Sequence, residues 1–342
     1  MKTFCEANLD KILLRISDTS ALYCPVKQYV AGSTDYVLNF DKWQPGSSVL
    51  LELTVLPPKG FFFRPYEALY SAEVSADLCI KQAEEAVEPF VLFGVHACDM
   101  AGIEFLDSVF LEPPFDRAYK ARRDAATIVT LACLSCKATC FCETFGIEKL
   151  APYGDARITI IDDCCVWQAF TEKGKRLTAS IEDLLSPGFL PHPEVEYLER
   201  PVPQPALPLP CPDRMLEIFS SEKWDSLHRT CIACGTCTYL CPTCQCYDIA
   251  SYGAGMKILC HRAWDSCMNE DFTKMAHGNP RPSHKERFRQ RFMHKLVYQQ
   301  EASGRRGCTG CGRCSAKCPV NLSMQKVISG ISGAAGGGEA LG

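Results

Sequence analysis

A doubled run of cysteines limits what this chain can fold into more than any other feature. Cys231, Cys234, Cys237 and Cys241 stand at C-x2-C-x2-C-x3-C with Pro242 next, and Cys308, Cys311, Cys314 and Cys318 repeat the spacing before Pro319. Three thiolates at i, i+3 and i+6 wrap a compact loop around a cube of iron and sulfide. The fourth, three residues further on, begins to leave that loop. In two-cluster ferredoxins it ligates the other cluster. The expected assignment is therefore crossed: cluster A on Cys231, Cys234, Cys237 and Cys318, cluster B on Cys308, Cys311, Cys314 and Cys241. Structural zinc is the alternative, but it takes four ligands, typically as two C-x2-C pairs, and fits two complete four-cysteine runs badly. Gly235, Gly310 and Gly312 are expected to let the backbone pass close to the sulfides without a Cβ in the way.

The total of 23 cysteines in 342 residues points the same way. In a reducing compartment such thiols serve metals rather than a disulfide framework, which a chain of this length does not need. No apolar run approaches the ~18 residues of a membrane span. The opening "MKTFCEANLDKILLRISD" lacks the basic-then-apolar layout of a signal peptide, so a cytoplasmic location is expected. A net charge of −4 carries no message about nucleic acid.

The two runs are separated by 66 residues, from Pro242 to Gly307, where a simple ferredoxin has a short link. Within this insert Ser283 and Glu286 have capping-box spacing, and Phe288, Phe292 and Leu296 share one helical face. Between Lys274 and Arg306 nine Lys or Arg face only two acids. Three readings of that charge stay open: a solvated helix face, compensation of negative clusters, or docking of an acidic partner. No base-stacking aromatic series accompanies it, which argues against nucleic acid. Cys244, Cys246, Cys260 and Cys267 crowd the same half and read as core thiols, with extra ligation or a redox role as the alternative.

The first 185 residues have a different pattern. "SVLLELTVL", "PFVLFGVHACD", "TIVTLACLSC" and "RITIIDDCC" are short apolar runs separated by helix-like stretches such as "AEVSADLCIKQAEEAVE". Such alternation predicts buried parallel strands with crossover helices. Cys98, then Cys133 and Cys136, then Cys164 and Cys165 fall just after three of these strands, where ligands gather in open α/β sheets. With Cys140 and Cys142 nearby, the hypothesis is a third cluster on Cys98, Cys133, Cys140 and Cys142. Cys136 is the alternative to Cys133, and buried thiols or a zinc knuckle are the alternatives to the site. His96, directly before the Cys98 loop, is read as a plain structural residue or as a hydrogen-bond donor to that cluster.

The expected organisation follows. Residues 1–185 form an α/β domain with a mainly parallel sheet. Nine prolines between Pro187 and Pro212 make 186–212 a semi-rigid linker. Residues 213–328 form a mainly α-helical, ferredoxin-like domain for two [4Fe–4S] clusters, with a basic helical insert at 247–306, and 329–342 is a flexible tail. No G-x-G-x-x-G, P-loop, HExxH or G-x-S-x-G is present. No residues are arranged for hydride chemistry or substrate activation, so the chain is expected to pass electrons singly between partners, with no catalytic residue of its own.

"GVHACDMAGIEFLD", "CIACGTCTYLCPTCQCYD", "WDSCMNEDFTKMAHGNPRPSHKERFRQRFMHKLVY" and "CTGCGRCSAKCPVN" together resemble the iron–sulfur subunit of anaerobic sulfite reductase and, equally, the beta subunit of the sulfhydrogenases. The resemblance covers most of residues 60–325, long insert included. It implies a protein that relays electrons between a flavoprotein handling NAD(P)H and a separate catalytic reductase or hydrogenase subunit. Cys136, Cys165 and the spacing of "ACLSCKATCFC" depart from the family pattern and leave the ligands of the third site open. Two other classes stay in view: a flavin- or deazaflavin-using oxidoreductase subunit with built-in clusters, and a zinc-stabilised scaffold.

Overall fold

A computed structural model describes residues 1–74, 78–83, 86–188 and 207–332. In chain order the strands are β1 (Lys2–Cys5), β2 (Ala21–Tyr29), β3 (Tyr36–Lys42), β4 (Tyr66–Val74), β5 (Leu78–Gln82), β6 (Phe90–His96), β7 (Ala126–Leu131), β8 (Ala156–Ile161), β9 (Cys164–Ala169), β10 (Ser186–Pro187), β11 (Tyr247–Ala254) and β12 (Lys257–Trp264). The chain divides into two compact units that are not contiguous in sequence. The first holds Met1–Phe62, Ala86–Ala138 and Gly146–Pro203, the second Phe63–Glu85, Thr139–Phe145 and Gln204–Gly342. Most of the stretch predicted as a linker (189–206) and most of the predicted tail (333–342) lie outside the described residues.

The first unit is built on an eight-stranded sheet in the order β10-β1-β9-β8-β7-β6-β2-β3. The sheet is mixed, which corrects the mainly parallel expectation. Only β2–β6, β6–β7 and β7–β8 pair in parallel. The pairs β2–β3, β8–β9, β1–β9 and β1–β10 are antiparallel. Connection length explains the split, because a parallel pair needs a crossover of a dozen or more residues whereas a tight turn forces the strand back alongside. Helices Ala97–Phe110 and Arg117–Ala125 supply the crossover from β6 to β7, but only Asp162 and Asp163 separate β8 from β9. Asp162 takes φ 51° in that turn, a left-handed conformation that aspartate tolerates.

The run "SVLLELTVL" is not a strand. Of β2, only Ala21–Tyr23 pair with β6, and Val49 takes one isolated bridge further along, opposite Val26. Pro25 beside it has no N–H to extend a ladder, although its carbonyl accepts from Leu50. Ile12, Leu13 and Ile16 of helix Leu9–Ser17 pack with Phe93, Val129, Ile158 and Trp167 into the core of this unit. Each fully buried side chain of this size contributes about 1.5–3 kcal/mol.

The second unit contains a sheet that the sequence pattern does not announce: antiparallel, in the order β11-β12-β4-β5. "AEVSADLCIKQAEEAVE", read as helical, contributes the end of β4 and all of β5, and the inserted segment opens with the hairpin β11–β12. The Arg262 guanidinium pairs with Glu67 in the interior of this sheet, between the rings of Phe63 and Tyr247. The later part of the insert is helical as expected. Ser283 and Glu286 make a complete capping box at the start of helix His284–Met293. The helix continues through a π turn, His294–Tyr298, into Gln299–Ser303. Phe288, Phe292 and Leu296 are buried together with Trp224, Met293, Val297 and Ile328 in the core of this unit.

Candidate metal centres

Both cysteine runs fold into the same local backbone. After each first cysteine the chain turns through a left-handed residue, Ala233 (φ 57°) or Gly310 (φ 60°), and then a second, Gly235 (φ 72°) or Gly312 (φ 73°). Gly235 and Gly312 cap the short helices Thr236–Tyr239 and Arg313–Ala316. The turns direct amide N–H groups at sulfur. Ala233 N–H donates to Cys231 Sγ at 3.4 Å and Gly310 N–H to Cys308 Sγ at 3.5 Å, while Leu322 N–H donates to Cys318 Sγ at 3.3 Å. Such bonds stabilise thiolate over thiol and tune any cluster the sulfur holds.

The glycines have a further, unexpected reason. A Cβ on Gly310 would stand 2.5 Å from the backbone of Phe141, and one on Gly312 would stand 2.4 Å from the Thr139 carbonyl oxygen. The segment Thr139–Cys142, far away in sequence, lies directly against the second cysteine loop. Phe141 N–H donates to the Gly310 carbonyl at 2.8 Å, and Cys140 Sγ contacts the Cys311 carbonyl at 3.7 Å.

Cys231, Cys234 and Cys237 of the first run and Cys318 of the second line one cavity of about 530 Å³, its open mouth included. Cys314, Met268, Phe288 and Arg291 complete much of the wall. The second grouping gathers around Cys241. Burial raises the Cys308 thiol pKa most, and of its neighbours Cys241 adds most, with Cys314 also contributing and Lys295 opposing. Cys311 is buried in the same loop. Cys318 thus lines a cavity with the first three cysteines of the other run, and Cys241 and Cys314 both stand near Cys308.

Two buried cations answer these thiols. Lys295 is 4 % exposed. Its Nζ donates to Cys241 Sγ at 3.2 Å, Thr243 Oγ1 at 3.0 Å and the Gly307 carbonyl at 2.8 Å, using all three ammonium protons. Burial alone would lower its pKa, but the sulfurs of Cys241, Cys244 and Cys308 outweigh that and hold it above the usual lysine value. Arg291, one turn earlier, is buried beside Cys237, Cys314, Cys244 and Cys241. Burial again opposes its charge, and those thiols raise its pKa well above the ordinary guanidinium value. Lys295 lies within the π turn, a feature frequent at functional sites. The Lys295 carbonyl accepts from Gly307 N–H at 2.7 Å, just before Cys308. Isolated buried cations of this kind are costly unless paired. Their presence fits a pair of anionic, thiolate-bound clusters.

The remaining cysteines are placed as follows. Cys98 opens the helix Ala97–Phe110 behind His96, its buried N-cap residue, and Cys133 follows β7; all three belong to the first unit, whereas Cys140 and Cys142 belong to the second. Cys136 Sγ accepts from buried Lys149 Nζ at 3.9 Å. Cys164 and Cys165 follow β8 after a two-residue turn and begin β9. Cys260 is buried in β12. The Cys267 thiol pKa is raised by a hydrogen bond with Cys246, then by burial, with Cys244 also nearby. Sequence reasoning missed the individual roles of Lys295, Arg291 and Thr243 and the packing of Thr139–Cys142. A run of nine basic residues signalled charge but did not by itself say that Arg287, Arg291 and Lys295, spaced four apart, are the buried ones of the helix.

Among the described residues no helix is long and apolar enough to cross a membrane. Residues 230–322 match the family of 4Fe-4S dicluster domains. The whole chain is similar to the sulfhydrogenase 2 subunit beta of Pyrococcus furiosus, 30% identical over 329 residues that cover 93% of this chain and 94% of that protein. No solved structure matches.

Proposed function

Because the chain belongs to the family of sulfhydrogenase beta subunits, we propose that it relays single electrons through two [4Fe–4S] clusters between a flavoprotein that handles NAD(P)H and a separate catalytic reductase or hydrogenase subunit. The observation that carries this reading is the meeting of Cys231, Cys234 and Cys237 with Cys318 at one cavity. Cluster A belongs there, and cluster B on Cys308, Cys311, Cys314 and Cys241. When bound, the clusters supply one-electron carriers. The protein supplies thiolates, amide N–H groups aimed at sulfur, and buried cations that ease acceptance of a further negative charge.

The test uses the full chain purified without oxygen. It should carry about eight irons, or about twelve with the third cluster. Dithionite should reduce it, yet alone it should not oxidise NAD(P)H or reduce sulfite or sulfur. Adding a flavoprotein and a catalytic partner should restore turnover, and Cys234→Ser or Cys311→Ser should abolish it while each partner keeps its dye-linked activity. Four or fewer irons in a loaded sample would defeat the paired-cluster assignment. Sustained NADH oxidation by the single chain would favour a built-in flavin instead.

A further inference from the structure

The N-terminal strand brings two cysteines face to face that the relay does not use. β1 and β9 are antiparallel, with Cys5 directly opposite Cys164 and Phe4 opposite Cys165. One step beyond, Glu6 N–H donates to the Asp163 carbonyl at 2.8 Å, which makes Glu6 and Asp163 a hydrogen-bonded pair. Pairs alternate along an antiparallel ladder, so Cys5 and Cys164 form a non-hydrogen-bonded pair. At such pairs the Cα atoms are about 4.5 Å apart and the side chains are closest. That separation lies within the span of roughly 4.4–6.8 Å that disulfides bridge.

The pair is held in register from one side and open from the other. The two-residue turn at Asp162 and Asp163 fixes where β9 begins, and with it Cys164. Cys5 is exposed and Cys164 partly so, whereas Cys165 is fully buried among the core side chains. A small reagent can therefore reach the first two sulfurs and not the third.

We propose that Cys5 and Cys164 are a reversible redox pair that closes into a cross-strand disulfide by exchange with a small-molecule disulfide. The thiolate of Cys5 attacks one sulfur of the reagent, forming a mixed disulfide and releasing one small thiol. The thiolate of Cys164 then attacks the Cys5 sulfur and releases the second. Two protein thiols are oxidised, one reagent disulfide is reduced, and the two protons leave on the two released thiols. This is a single switchable bond, not the disulfide framework that a reducing compartment excludes.

The experiment incubates the anaerobically purified full chain with oxidised glutathione or cystine. Remaining thiols are then blocked with N-ethylmaleimide, and the protein is digested without reductant for mass spectrometry. The expected product is a cross-linked peptide pair joining the segments of Cys5 and Cys164, two hydrogens lighter than their sum and abolished by dithiothreitol. Cys5→Ser should leave Cys164 as a stable mixed disulfide or blocked thiol with no cross-link. In the unsubstituted chain, mixed disulfides that persist on both cysteines, a link from Cys5 to Cys165, or two unreacted thiols would each overturn the proposal.

Discussion

Replacing Lys295 with methionine should make cluster B markedly harder to reduce. The substitution keeps an unbranched side chain out to Cε and removes one buried positive charge whose Nζ lies 3.2 Å from Cys241 Sγ. Reduction adds a negative charge to the cluster, so the reduced form loses more than the oxidised form when that charge goes. With roughly 6 Å from Nζ to the middle of the cluster and an effective dielectric of about 20, the difference is about 3 kcal/mol. For one electron that corresponds to a fall of about 120 mV. Burial keeps salt from screening the effect. The assay is a redox titration followed by electron paramagnetic resonance, with iron content and circular dichroism confirming a loaded, folded chain. The cost of withdrawing the ammonium donor from Thr243 and the Gly307 carbonyl, which keep the hydrogen bond between them, appears in stability, about 1 kcal/mol, not in the potential. Lys295→Arg should recover part of the shift. A potential that rises, or that moves by less than a fifth of the expected amount, would show that Lys295 does not serve the cluster held by Cys241.

Cys241→Ser should alter the signal of the centre bound by Cys308, Cys311 and Cys314, and a change confined to the centre of Cys231, Cys234 and Cys237 would mean that each run keeps its own fourth ligand. Gly312→Ala combines φ 73° with a Cβ 2.4 Å from the Thr139 carbonyl oxygen; thermal melts should show more than the 1–2 kcal/mol or so of left-handed strain alone. Gly46→Ala, with φ 89° and open space around it, reports that strain by itself, and equal losses at the two sites would remove the packing argument. His294 is kept neutral by burial first and then by Lys295 and Arg281, its pKa lowered from 6.5 to about 4. Its Nε2 accepts from the Gln299 amide at 2.7 Å. Because the folded pKa is the lower one, this contribution is present above about pH 6.5 and is lost as the pH falls towards 4, by up to about 3 kcal/mol. Denaturant titrations at pH 7 and pH 5 should show that loss in the unsubstituted chain and a smaller one in His294→Asn.

What could be read from the sequence was what local chemistry dictates. The cysteine spacing, the capping box at Ser283 and the apolar face of Phe288, Phe292 and Leu296 are each decided within one or two turns of chain, and the structure reproduces that helix start and its buried face. The central strands β6, β7 and β8 were equally visible as apolar runs. The errors fall where distant partners decide. Ala- and Glu-rich "AEVSADLCIKQAEEAVE" carries helical propensity, yet it contributes to β4 and β5 because β4 pairs along its length with β12, nearly two hundred residues later. Propensities of a few tenths of a kcal/mol per residue yield to that pairing. Sheet direction was misjudged for a related reason: apolar content marks burial, whereas parallel or antiparallel pairing is set by the two residues between β8 and β9. That the Lys295 ammonium meets Cys241 is likewise decided by a partner more than fifty residues away, which the basic run does not name.

The interleaving of the two units sets the order in which this protein can be made. The second unit draws Phe63–Glu85 and Thr139–Phe145 from the early chain and everything else from Gln204 onward. As the chain leaves the ribosome, β4 waits for β12, and the floor beneath Gly310 waits for a loop that emerges some 170 residues after it. Assembly is therefore of high contact order and completes only after the second cysteine run has emerged. Metal loading is deferred with it, because Cys318 emerges last among the eight thiols of the paired runs. A fragment cut at Gln204 would retain every one of those eight cysteines and still lack two of the four strands of its own sheet.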